Sequence, residues 1–144
     1  MIAFDFGEKR IGSAVGDLAL RIAHPLTTVE AEDNRSRFAA IAKLIDEWRP
    51  VVLVVGVPVP SDPGEHEIAR LARRFARRLE GRFGIRTDLI DERLSSHAAE
   101  ASLREQGVRG RRMKNVVDAA AAQQILQSYF ETLRVRVSSA AHRP

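Results

Sequence analysis

The first six residues set a period of two. In Met1-Ile2-Ala3-Phe4-Asp5-Phe6, an extended backbone sends Ile2, Phe4 and Phe6 to one face and Ala3 and Asp5 to the other. A strand this apolar is buried, which makes Asp5 a carboxylate where burial is costly unless it is paired, hydrogen-bonded or bound to a cation. After a polar turn at Gly7-Glu8-Lys9-Arg10, the small apolar run from Ile11 to Gly16 reads as the second arm of a hairpin, and Ile22 to Val29 as a third strand, with Pro25 suited to an edge. The period then changes. Asp33-Asn34 is a good N-cap pair, and Phe38, Ile41, Ile45 and Trp48 recur at helical spacing until Arg49-Pro50.

Val51 to Val57 is a continuous β-branched run, the pattern of a central parallel strand covered on both faces. A rigid loop with Pro58, Pro60, Pro63 and Gly64 leads to a helix over about 65–80, whose apolar stripe is Ile68, Leu71, Ala72, Phe75 and Leu79. Its arginines, Arg70, Arg73, Arg74, Arg77 and Arg78, fall off the stripe and read as a solvated face. Trp48 and Phe75, both on stripes, read as core. A short strand over 86–91, a helix capped by Ser95-Ser96 up to Gly107, a basic glycine-punctuated loop over 107–115 and a last helix from near Val116 to about Leu133 complete the pattern. The order implies an α/β protein with a mixed five-stranded sheet, three antiparallel strands followed by parallel crossovers, flanked by helices. It is read as a single domain over 1–134 with a flexible C-terminal tail over 135–144.

Composition narrows the class. With 144 residues there is room for one core, and 44% hydrophobic with 29% charged residues is ordinary for a globular chain. The absence of cysteine excludes disulfides, thiolate nucleophiles and Cys-based zinc sites. No apolar run has the length of a membrane span and no basic leader precedes the first strand, so a cytoplasmic protein without a membrane partner is expected. The formal charge of +4 comes from an arginine-rich balance with only three lysines, Lys9, Lys43 and Lys114, which favours a phosphate-bearing partner as much as a plain basic surface.

Two further acids are out of place. Asp118 shares a helical stripe with Ala121, Ala122, Ile125 and Leu126, although an acid in a first turn also has a dipole explanation. Asp91-Glu92-Arg93 ends the last strand, where α/β sheets gather their sites, although an ion pair with Arg93 would also account for it; spacing leaves open which of the two acids faces Asp5. Three converging carboxylates would be held ionised by divalent cations, and a pair of such ions suits phosphodiester hydrolysis.

Asp5-Phe6-Gly7-x-Lys9-Arg10-Ile11-Gly12, Val55-Gly56-Val57-Pro58, Asp91-Glu92-Arg93-Leu94-Ser95 and Val117-Asp118 followed by Ala121-Ala122 and Ile125-Leu126-Gln127-Ser128-Tyr129 together resemble the YqgF (RuvX-like) family from Met1 to about Phe130. The resemblance implies a ribonuclease H-like fold and a metal-dependent nuclease. The family is described both as maturing the end of pre-16S ribosomal RNA and as Holliday junction resolvases. By this similarity Asp5, Glu92 and Asp118 are the catalytic and metal-binding acids, with Mg²⁺ or Mn²⁺ as cofactor and structured nucleic acid as substrate. A monomer or weak homodimer is expected, since resolving a junction takes two sites. The chain departs from the family at Pro60 and Pro63, which remove an amide side chain and a backbone donor from the loop after the central strand.

For substrate phosphates, Lys9 and Arg10 in the hairpin turn and the cluster of Arg109, Arg111, Arg112 and Lys114 are the candidates, against solvated turns as the plain alternative. His24, His66, His97 and His142 lack metal-ligand spacing. Two rival classes stand beside the nuclease. A non-catalytic nucleic-acid-binding module would bind without turnover, and a fragment of an actin-like kinase is opposed by length, since that class needs two domains around its nucleotide.

Overall fold

The computed structural model describes residues 1–31, 33–58, 63–91 and 110–141. Its elements are β1 (Ile2–Asp5), β2 (Arg10–Asp17), β3 (Ile22–Glu30), α1 (Asn34–Trp48), β4 (Val52–Val57), α2 (Pro63–Phe83), β5 (Arg86–Asp91) and α3 (Gly110–Ala141). The expected helix between Ser95 and Gly107 lies outside the described residues. The sheet order is β3-β2-β1-β4-β5, with β1 antiparallel to β2 and parallel to β4, and β4 parallel to β5, which is the mixed five-stranded sheet that the pattern implied.

Alternation along the strands divides the core. Ile2 and Phe4 of β1 and Leu53, Val55 and Val57 of β4 pack with Phe38, Ala72, Phe75 and Leu79 beneath α1 and α2. Ala3 and Val54 take the opposite parity and pack with Ile125, Leu126, Tyr129 and Phe130 of α3. From Leu53 to Val57 the run is thus buried on both faces, whereas Val51, before the strand, is exposed. Phe75 sits among Phe4, Phe6 and Phe38, with ring centroids 5.8, 5.2 and 6.0 Å away.

Trp48 departs from the expected core. It is 44% exposed, because α1 ends there and the chain leaves through Arg49 in the left-handed region (φ 45°), so the last turn of the stripe stands beyond the sheet. Its ring lines a surface depression with Leu18, Leu20, Ile22 and Val51 at the end of the sheet where β1 begins. Pro63 is the first residue of α2, a position where a missing N–H costs nothing. The last helix begins at Gly110, not near Val116, and runs to Ala141. Arg111, Arg112, Met113 and Lys114 are good helix formers, so once past Gly110 nothing in the sequence breaks the helix.

Asp33 caps α1 by accepting from the Ser36 N–H at 2.7 Å, and that hydrogen bond holds its carboxyl below the ordinary 3.8. A lowered folded pKa stabilises above the unfolded value, and the effect is lost as pH falls through the folded one. Asp33→Ala is therefore expected to melt lower than wild type at neutral pH, with the gap closing below pH 3.8 in a series of thermal melts.

The β2–β3 ladder shifts register between Ser13 and Ala14. Ser13, fully buried, bridges the irregularity: its hydroxyl donates to the Thr27 carbonyl at 2.7 Å and accepts from the Thr27 N–H at 3.2 Å. Ser13→Ala leaves both Thr27 groups without that partner and is expected to cost about 1–3 kcal/mol in denaturant unfolding.

Candidate active site

The site forms at the end of the sheet where β1, β4 and β5 finish side by side. Asp5 is the last residue of β1. Its neighbours in register are Gly12 on β2 and Gly56 on β4, and one step further along, Val57 stands beside Asp91. Both flanking positions lack a side chain, and the Asp5 carboxylate is half-buried at the strand end.

Gly12 also locates the last helix. A Cβ at this position would stand 1.8 Å from the Asp118 carbonyl oxygen and 2.9 Å from the Ala119 nitrogen, so the backbone of α3 crosses directly over β2 here. The glycines of β2 permit that approach, Gly12 against the backbone of Asp118 and Ala119 and Gly16 against the side chains of Leu126 and Phe130. Directly opposed residues of an antiparallel pair project to the same face, so Asp5 points to the side on which Gly12 meets Asp118. The two acids singled out by pattern are therefore brought to one level of one face.

Arg10 joins them. Its Nε donates to Asp118 Oδ2 at 2.8 Å and an Nη lies 3.5 Å from Glu30 Oε1 across the β2–β3 ladder, with Arg10 and Asp118 half-buried and Glu30 exposed. Lys9 stands exposed at the hairpin tip, and both basic residues line a broad depression with Glu8, Glu30, Asp33 and Ser36. Glu92 and Arg109 lie outside the described residues. Arg111, Arg112 and Lys114 fall in the first turns of α3 instead of a loop, with Lys114 one helical turn ahead of Asp118. Among the described residues no three His, Cys, Asp or Glu side chains come together as a metal cluster.

Sequence reasoning missed two participants. Glu30 becomes visible only with the β2–β3 register, which sets it opposite Arg10. Gly12 carried a signal, since a glycine inside a strand marks a close backbone approach, but its partner was unknown. Further along α3, the Gln123 amide donates to the Ala23 carbonyl at 2.9 Å and Gln127 to that of Arg21 at 3.1 Å, fastening the helix to the edge strand.

This sheet order, with one acid ending the first strand and another on the helix that crosses it, defines a ribonuclease H-like α/β protein. The solved structure of Thermus thermophilus RuvC with a Holliday junction superimposes with a TM-score of 0.56 over 93% of this chain and 96% of that one, at 16% identity. The fowlpox virus resolvase, solved with junction DNA, gives 0.52 at 14% identity over 92% of this chain and 99% of that one. The chain itself belongs to the family described as "RuvX: Holliday junction resolvase", whose model matches residues 1–132. Among its curated relatives, a protein of Methylobacillus flagellatus named "Putative pre-16S rRNA nuclease" is 56% identical over 92% of this chain and 91% of its own length. One of the same name from Nitrosospira multiformis is 58% identical over 90% and 86%. No helix among the described residues is long and apolar enough to cross a membrane.

Proposed function

We propose that this chain is a metal-dependent endonuclease that hydrolyses phosphodiester bonds of structured nucleic acid, with the pre-16S ribosomal RNA precursor as its substrate. The observation that carries the reading is the placement of Asp5 and Asp118 on one face, across Gly12. Family membership and the name shared by relatives identical at more than half of their aligned positions support it.

The donor chemistry suits a hard divalent cation. Asp5 and Asp118 offer carboxylate oxygens and nothing softer, and the Asp118 carboxylate already holds a cation, the Arg10 guanidinium. Asp5, Asp118 and Glu92 are the residues assigned to hold Mg²⁺ or Mn²⁺. Ile90 packs towards α3, so Asp91, its neighbour on β5, has the opposite parity and turns away from the face that Asp5 shares with Asp118. Bound there, the cation supplies an activated water and charge stabilisation at the leaving oxygen. The chain's own side chains bind and orient: Lys9, Arg10 and the basic start of α3, including Arg111, Arg112 and Lys114 with Arg109 before it, take phosphate oxygens around the scissile bond.

A second reading, resolution of branched DNA, is favoured by the description of the matching family model. The two are separated by incubating the protein with an end-labelled pre-16S precursor fragment, a four-way DNA junction and an unstructured RNA, with Mg²⁺, Mn²⁺ or EDTA. The expected result is metal-dependent cutting of the precursor at a defined position. Symmetrical cutting of the junction with the precursor intact would transfer the assignment to branched DNA, and binding without cutting under either metal would leave a docking module.

A further inference from the structure

On the face of the sheet away from α3, a cleft of about 180 Å³ opens between α1 and α2. Arg37 of α1 and Arg74 and Arg78 of α2 bound it, and Phe6, Phe38 and Phe75 line it between them. The Arg37 guanidinium lies 5.7 Å from the Phe6 ring centroid and donates to the Glu8 carbonyl, and Arg82 lies 4.5 Å over Phe38 at the neighbouring edge. Three arginines elsewhere have carboxylate partners: Arg70 pairs with Glu67, Arg86 with Asp88, and Arg10 with Glu30 and Asp118. Among the described residues none of Arg37, Arg74, Arg78 and Arg82 has a carboxylate within ion-pairing distance.

The arrangement works against the protein on its own. Arg74 and Arg78 are like charges one turn apart, and Arg37 and Arg78 are both half-buried. Burial first, and then the charge of Arg78, hold Arg37 below the usual arginine range, with Glu8 only partly opposing. Guanidiniums gathered over aromatic walls focus a positive potential and present forked donors, the geometry that chelates phosphate oxygens. The cleft also has a fixed relation to the acids. Phe6 lines it and immediately follows Asp5, so it begins one residue from the active site on the opposite face of the sheet.

We propose that this cleft is a second backbone-phosphate site, in which Arg37, Arg74 and Arg78 hold a phosphodiester of the nucleic-acid substrate away from the scissile bond. The identity of the anion rests on the nuclease reading. Strands that diverge at the end of β1 reach both faces of the sheet, so the site selects structured or branched substrates over short single strands. The arginines of α2, which sequence pattern reads as solvent decoration, thereby become part of the substrate surface.

The test is binding of the full chain to a labelled stem–loop RNA, a four-way DNA junction and a short single-stranded oligonucleotide, by fluorescence anisotropy in EDTA over a salt series. Wild type is compared with Arg74→Gln/Arg78→Gln and with Arg74→Lys/Arg78→Lys. Loss of two phosphate contacts is expected to flatten the salt dependence of the structured substrates by about 1.4–1.8 in log–log slope and to weaken binding on the order of tenfold. The short oligonucleotide is expected to change less than about twofold, and the lysine variant to keep the wild-type slope. Thermal melts of the glutamine variant at or above wild type, as relief of like-charge repulsion requires, separate this from misfolding. An unchanged slope on the structured substrates overturns the site. Because the assay needs no catalysis, a wild type that binds with the expected variant effect but cuts nothing under Mg²⁺ or Mn²⁺ overturns the nuclease reading and sustains the cleft. A wild type that binds no nucleic acid overturns both.

Discussion

Asp5→Asn is expected to reduce metal-dependent cleavage at least about a thousandfold while leaving the melting temperature within about a degree of wild type. The amide is nearly isosteric with the carboxylate, and the position is half-buried at the strand end between Gly12 and Gly56, so the substitution changes charge with little change in volume. The substitution removes one of the anionic oxygen pairs assigned to the cation. Metal-ion stabilisation of a transition state is worth several kcal/mol, and each 1.36 kcal/mol is about tenfold in rate. Asp118→Asn is expected to lose cleavage to a similar degree with a measurable loss of stability as well, because its carboxylate also accepts the 2.8 Å hydrogen bond from Arg10. Turnover assays in Mg²⁺ and Mn²⁺ beside thermal melts read both quantities. An Asp5→Asn protein that cuts within tenfold of wild type would remove this residue from the catalytic centre.

Gly12→Ala is expected to have the largest effect on stability, lowering the melting temperature on the order of 10 °C and abolishing cleavage with it. The added methyl would stand 1.8 and 2.2 Å from the carbonyl oxygen and carbon of Asp118. Every atom it meets is backbone, on one side an interior strand and on the other a 32-residue helix, so no side chain can rotate away. Overpacking of an ordinary core costs about 1–3 kcal/mol, and relief here requires moving α3 off the sheet, which places the cost at or above that range. For a chain of this size about 3 kcal/mol corresponds to roughly 6–12 °C. The same shift carries Asp118 away from Asp5. Gly16→Ala is the internal control: its methyl meets mainly the ends of Leu126 and Phe130 at 2.8 and 2.9 Å, side chains with freedom to adjust, so a smaller loss is expected. Equal melting temperatures for the two variants would show that the contact at Gly12 does not fix the helix.

The hydrophobic pattern carried the fold a long way. Asp5 was legible because it breaks the parity of an apolar strand, and Asp118 because it interrupts the apolar stripe of a helix. Both readings need only the period of the element that holds the residue. The extent of α3 was less legible, since Gly107 and Gly110 with four basic residues resemble a loop in composition, whereas the arginines and lysine there are compatible with a helix. Trp48 was misread for a related reason. Periodicity gives the face of a side chain, not how far the sheet beneath it extends.

The sequence by itself therefore determined the order of elements, the two-sided core around β4 and the two acids that have no place in it, because side-chain direction repeats with the local backbone. Only the tertiary structure decided which groups meet. Arg10 and Asp118 are 108 residues apart, Gly12 finds the backbone of α3, and the arginines of α2 face Arg37 of α1 across a shared cleft. Those meetings depend on strand register and on which helices the crossovers lay side by side, and no local period encodes them.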